Sequence, residues 1–190
     1  MSRRFPIALV LSFVCLAVPA RADFQAGMDA NKRGDYATAL REWRPLAEQG
    51  FRAAQFHLGQ LYANGQGVPQ DYVQARQWWQ KAATQGDASA QVNLGLLYEN
   101  GQGVPKDYKT AVYWFRRSAA HGNAMALANL GLMYEHGSGV PQDVVLAQKW
   151  YILGAANGDK LGAERRDALA KRMTPAQLFQ AQQRAREWKP

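Results

Sequence analysis

One stretch of the sequence recurs three times at a fixed spacing. Leu94–Tyr108 reads LGLLYENGQGVPKDY, Leu58–Tyr72 reads LGQLYANGQGVPQDY, and Leu130–Val144 reads LGLMYEHGSGVPQDV. The offset is 36 residues each time. A fixed period of this size marks a stack of identical supersecondary units, each too small to bury its own apolar face alone. Such a chain folds as one elongated array in which each unit contacts its neighbours.

Each unit contains two helical patterns, A and B. In helix A, Leu58, Leu61 and Tyr62 recur at spacings that place them on one face. Gly59, Gly95 and Gly131 sit inside that helix, where glycine costs about 1 kcal/mol relative to alanine. Close approach of a neighbouring helix is the expected reason. Gly65, Gly101 and Gly137 fall where a left-handed residue caps helix A. Pro69, Pro105 and Pro141 stop its continuation. Asp71, Asp107 and Asp143 stand where a side-chain oxygen can receive the free amides of helix B, and Gln74 is placed to complete a capping box. Helix B then carries Ala75, Trp78, Trp79 and Ala83, with counterparts Ala111, Trp114, Phe115, Ala119 and Ala147, Trp150, Tyr151, Ala155. The alanines permit close packing, and the aromatics fill the space between layers.

The full units are 51–86, 87–122 and 123–158. A shortened first unit occupies 23–50, with Tyr36, Ala39, Trp43, Ala47 and Gly50 in register but a turn four residues shorter. From 159 to 190 the pattern decays into two expected capping helices, the last opened by Thr174, Pro175 and Gln177. The fold class is therefore an all-α solenoid of antiparallel helix hairpins.

The N-terminus reads differently. Arg3 and Arg4 precede the short apolar run Phe5–Val18, and Ala20-Arg21-Ala22 fits a small-x-small cleavage site. This is the pattern of a secretory signal peptide, residues 1–22. The apolar run is too short for a comfortable membrane span. Export, to the periplasm or beyond the cell, is expected, with no stable membrane span after cleavage. Cys15 is the single cysteine, so a chain cut after Ala22 has no disulfide or thiol chemistry. The net charge of +8 loses Arg3, Arg4 and Arg21 with that segment, leaving +5, and the four surplus positive charges of 159–190 account for most of it. A basic tail on a nearly neutral array argues against nucleic acid as a partner.

The motif L-G-x-[LM]-Y-x-[NH]-G-x-G-V-P-x-D, followed by A-x-x-W-[WFY] at a 36-residue period, resembles the Sel1-like repeat, a relative of the tetratricopeptide repeat with a longer inter-helix turn. The resemblance covers 51–158 strongly and 23–50 in shortened form. It implies a right-handed superhelix whose A helices line a concave groove. It also implies a protein- or peptide-binding adaptor or scaffold, in exported bacterial members often tied to the cell envelope. The alternative it allows is an envelope enzyme, or a regulator of a cell-wall enzyme, acting on peptidoglycan or a β-lactam. Members with hydrolase claims are cysteine-rich, and a mature chain without cysteine departs from them.

The residues themselves offer little catalytic chemistry. His57, His121 and His136 occupy three different repeat slots with no metal-ligand spacing. Glu99 and Glu135 stand at equivalent ends of adjacent A helices and could oppose each other as a carboxylate pair. The aromatic slots are expected to fill the core rather than stack on sugar. No cofactor or metal is required. The expected partner surface is the A-helix face left free by packing: Phe24, Met28, Ala53, Phe56, Gln60, Ser89, Val92, Leu96, Glu99, Met125, Ala128, Leu132 and Glu135. Its apolar members exceed what solubility needs, as expected for a surface that receives a protein or peptide. The competing expectation is that the C-terminal helices fold back and fill it. Oligomeric state is not legible in the sequence.

Overall fold

The computed structural model describes residues 22–189, so the expected signal segment and Cys15 lie, except for Ala22, outside the described residues. These residues form ten α-helices and no strand: α1 Phe24–Lys32, α2 Tyr36–Glu48, α3 Arg52–Asn64, α4 Tyr72–Thr84, α5 Ala88–Asn100, α6 Tyr108–Ala119, α7 Ala124–His136, α8 Val144–Ala156, α9 Lys160–Ala170 and α10 Pro175–Arg186. Up to α9, each helix packs against the next. The odd helices to α7 are A helices, and the even helices to α8 are B helices.

The turns form as their chemistry dictates. Asp71 Oδ1 accepts from the amides of Val73 at 2.8 Å and Gln74 at 3.0 Å. Asp107 and Asp143 repeat this geometry on α6 and α8. The loop closes identically in all three units, with the amides of Asp71, Asp107 and Asp143 donating to the carbonyls of Tyr62, Tyr98 and Tyr134, each at 2.9 Å. Gln74 does not complete a capping box, because the Asp71 amide that it would receive is donated to the Tyr62 carbonyl. Thr174 and Gln177 do form one at α10.

The glycine inside each A helix answers to an aromatic ring on the B helix of its own hairpin. A Cβ on Gly27, Gly59, Gly95 or Gly131 would lie under 3.0 Å from atoms of Trp43, Trp79, Phe115 or Tyr151, respectively. These four rings are buried, with Phe115 and Tyr151 at 0% exposure. Trp43 Nε1 donates to the Phe24 carbonyl at 3.2 Å, and Trp79 Nε1 donates to that of Phe56 at 3.1 Å. The expected close approach is real, and the ring rather than a helix backbone is what approaches.

A second set of contacts joins unit to unit. Gly67, Gly103 and Gly139 lie in the left-handed region and rest on the backbone of Tyr36, Tyr72 and Tyr108, where a Cβ would clash. Gln55 and Gln91, both buried, donate to the last-turn carbonyls of Ala47 at 3.0 Å and Ala83 at 3.1 Å in the preceding B helices. Each glutamine adds a second donor to a helix-end carbonyl that already accepts the turn amide of Gly50 or Gly86, at 3.1 and 3.0 Å.

At the C-terminal end, α9 takes the place of the next A helix against α7 and α8, while α10 lies on α8. Glu135 ties the turn after α9 to the array. Its carboxylate accepts from the Tyr151 hydroxyl at 2.8 Å and from the Arg172 guanidinium. Burial pushes the Glu135 carboxyl up, but the hydrogen bonds from Tyr151 and Arg172 outweigh it and hold the group below its ordinary value.

Two outcomes follow from these contacts. Gly95→Ala should destabilise the protein by about 2 kcal/mol through overpacking against Phe115, although in an open helix the same change would stabilise by about 1 kcal/mol. Thermal denaturation of Gly95→Ala, alone and with Phe115→Leu, checks this: the second change should restore part of the loss. Because the folded carboxyl of Glu135 is depressed, its stabilisation is present above the unfolded carboxyl pKa and fades as pH falls through the folded value. Glu135→Gln should therefore speed amide exchange at the C-terminal end of α9 at pH 7, with a cost of about 1–2 kcal/mol, and its difference from the parent protein should shrink as pH falls through the folded value.

Candidate partner-binding groove

The thirteen expected surface residues fall on α1, α3, α5 and α7. Met125 and Ser89 are exposed, and Met125 leaves 52% of its surface in solvent. Phe24, Met28, Ala53, Phe56, Gln60, Leu96, Glu99, Leu132 and Glu135 are half-buried. Val92 and Ala128 are buried, at 2% and 5% exposure. Val92 belongs to the core cluster of Phe115, Leu127 and Leu130. Ala128 sits against Gly154 of α8 and Gly162 of α9, where its small side chain lets three helices meet.

The structure brings part of this set together. Phe56, Gln60, Ser89, Val92 and Met125 line a cavity of about 220 Å³ between α3, α5 and the start of α7. Asn93 and Asn123 complete the wall. Neither was among the expected residues, although Asn93 shares its repeat slot with His57 and Asn129. Phe24 stands apart, in an aromatic group with Trp43, Phe51 and His57 at the N-terminal end.

Two further cavities, each about 220 Å³, are copies of one another shifted by one repeat. One is lined by Tyr36, Trp43, His57, Gln60, Asn64 and Gln66. The other has Tyr72, Trp79, Asn93, Leu96, Asn100 and Gln102 at the matching positions. Each has an aromatic floor and a rim of neutral hydrogen-bonding side chains. His57 fits this description. It stacks on Trp43 at 4.8 Å, and its Nδ1 pairs with Gln60 Oε1 at 3.0 Å. Burial lowers its pKa despite the Gln60 contact, so the ring is neutral at pH 7 and offers one donor and one acceptor, like an amide.

The charged candidates are not equivalent. Glu135 is occupied by Tyr151 and Arg172. Glu99 is its counterpart one repeat earlier, where Phe115 replaces Tyr151 and has no hydroxyl to donate. Burial pushes the Glu99 carboxyl up, and nearby Lys106 draws it partly back. The two carboxylates thus sit in unlike surroundings. His121 and His136 are exposed, and no group of three metal-ligating side chains occurs among the described residues. Trp43, Trp79, Phe115 and Tyr151 lie in the core, and Trp78 and Trp150 are half-buried. Chemically, the groove offers amide donors and acceptors beside apolar surface, a set suited to holding a chain and poor in groups for bond cleavage.

Comparison with known proteins agrees with this architecture. The family model for the Sel1 repeat matches residues 52–87, 88–123 and 124–159, more than half of the chain. Among solved structures, a Sel1 repeat protein from Oxalobacter formigenes is 35% identical, with a TM-score of 0.69 over 75% of this chain and 60% of that one. A protective antigen present in uropathogenic Escherichia coli strains, displaying an SLR fold, is 29% identical, with a TM-score of 0.60 over 86% of this chain and 44% of that one. The chain therefore spans less than two thirds of either relative. No curated protein matches it. Sel1 repeats mediate protein–protein interaction. Three in-register hairpins, the ring-facing glycines and the matched repeats together place this chain in the Sel1 repeat family, as an all-α helical-repeat solenoid.

Proposed function

We propose that this protein is a non-enzymatic adaptor of the bacterial cell envelope that holds an extended segment of a protein partner along its A helices. The observation that carries the reading is the cavity that recurs one repeat later with the same amide and aromatic slots. An extended chain presents one backbone donor and one acceptor per residue, and side chains such as Asn64, Asn93 and Asn100 complement both. Phe56, Leu96 and Met125 receive apolar side chains alongside. The groove is built from helices locked by buried rings, so little ordering entropy opposes binding. The position of α10 on α8 supports an open groove along α3 and α5, while α9 and Arg172 cover Ala128 and Glu135 at its α7 end.

Two observations support the non-enzymatic part of the reading. No nucleophile stands beside a base among the groove residues, and Glu135 is spent on Tyr151 and on Arg172 of the turn after α9. The envelope location rests on Arg3, Arg4, the run Phe5–Val18 and Ala20-Arg21-Ala22. No helix among the described residues is long and apolar enough to cross a membrane.

Photo-crosslinkers placed at Gln60 and Ser89 in the native cell should trap a discrete partner, while one at Gln77 on α4 should not. Phe56→Asp combined with Leu96→Asp should abolish the product while circular dichroism stays helical, and the milder Ser89→Arg should weaken it. Equal yields from Gln77, or retention in the double variant, would contradict the groove reading. N-terminal sequencing of the protein recovered outside the cytoplasm should begin at Asp23; a retained Met1 would contradict export by cleavage.

A further inference from the structure

One cavity lies away from the A helices. About 550 Å³ of space lies over the outer face of α6, lined by Lys109, Val112, Tyr113, Arg116 and Arg117, with Gly139 and Val140 of the next turn. No carboxylate lines it, and none of the three cations forms an ion pair among the described residues. Arg116 donates to the Tyr134 hydroxyl at 2.7 Å, and Arg117 donates to that of Tyr113 at 2.9 Å. Each hydroxyl keeps its own proton to donate, so the polar side chains of this face are donors. Asp107, two residues before Lys109, is committed to capping α6.

The chain itself shows what such a face can hold. One repeat after Tyr113, Arg116 and Arg117 stand Lys149, Ile152 and Leu153 on α8. Ile152 and Leu153 border Gln182, Ala185 and Arg186 of α10, and Trp150 meets Trp188 edge-on at 5.8 Å. Successive B helices of the array barely touch, whereas α10 lies directly along α8. The outer face of a B helix is therefore a helix-docking surface, covered on α8 and open on α6. Tyr113, half exposed, marks the open state.

We infer that the outer face of α6 is a second docking surface, and that it takes an acidic amphipathic helix from another protein. A small apolar stripe on that helix would lie over Val112, Ala120 and Val140, as Ala181 and Ala185 of α10 are buried in their own docking. Its carboxylates would meet Lys109, Arg116 and Arg117, where guanidinium–carboxylate pairing gives directional hydrogen bonds. A second copy of α10 does not fit, because Arg184 and Arg186 would be brought against three cations.

The test is fluorescence anisotropy on the full chain. The probe is a stapled helical peptide of about 14 residues, close to the 12 of α10, with leucines along one stripe and glutamates flanking it. Its twin carries glutamine for glutamate. The acidic peptide should bind, and the twin should bind at least about tenfold more weakly. Affinity should fall as salt rises. Lys109→Glu combined with Arg117→Glu, both exposed, should weaken binding at least about tenfold, and Phe56→Asp should leave it unchanged. Arg117→Lys should retain part of the affinity, showing that charge and not packing is read. Any of four results overturns the inference: equal binding of the twins, unchanged binding by the reversed variant, loss with Phe56→Asp, or no peptide binding. Association with phosphatidylglycerol vesicles in place of the peptide also overturns it.

Discussion

The contact on which this structure depends is that of a glycine in each A helix with an aromatic ring on its B helix. Gly59 meets Trp79, Gly95 meets Phe115 and Gly131 meets Tyr151. Without a Cβ, the ring can lie directly on the A-helix backbone, and the hairpin closes to a spacing that any other residue would forbid. The ring is then buried, and its burial supplies much of the hairpin's stabilisation. The price is a helix-weakening glycine at the centre of each A helix. It is offset because the contact recurs at every repeat and neighbouring units share the cores it creates.

Joining the units uses smaller devices. The second turn glycine lets each loop rest on the preceding unit, at the first residue of its B helix. Buried glutamines bridge to carbonyls of the preceding unit at two of the junctions. At the third, Leu127 takes the glutamine slot and packs in the core shared with Phe115 and Ala119 of the preceding unit. The last junction adds charge: Glu135 receives Tyr151 of its own hairpin and Arg172 of the turn after α9, a pairing that its sister Glu99 does not make. Rigidity therefore comes from many short-range contacts, and it is this rigidity that lets the A-helix side present a preformed surface.

Much of this was legible because the repeat states each slot three times. The caps at Asp71, Asp107 and Asp143, the glycine turns and the buried aromatic slots could be read by register alone. What registers less well is burial by a neighbouring unit. Val92 and Ala128 lie on the same stripe as Phe56 and Leu96, and helical periodicity cannot tell a residue left in a groove from one covered by the next helix. Gln55 and Gln91 look like surface residues by type, yet they are buried because they serve carbonyls across a junction. Asn93 was visible as a repeated polar slot, but its place in a cavity wall required the positions of three helices. The docking of α10 on α8 was hidden because the repeat pattern decays before it, and with it the open counterpart on α6.

The proposed function turns on whether the repeated amide slots read the backbone of a partner. The most direct measurement is nuclear magnetic resonance of the side-chain amides of Asn64, Asn93 and Asn100 on titration with the purified partner segment. These resonances should shift together and their exchange with water should slow, while amides on α6 and α10 stay unchanged. Shifts confined to α6 and α10, with the three asparagines unmoved, would contradict the proposed function.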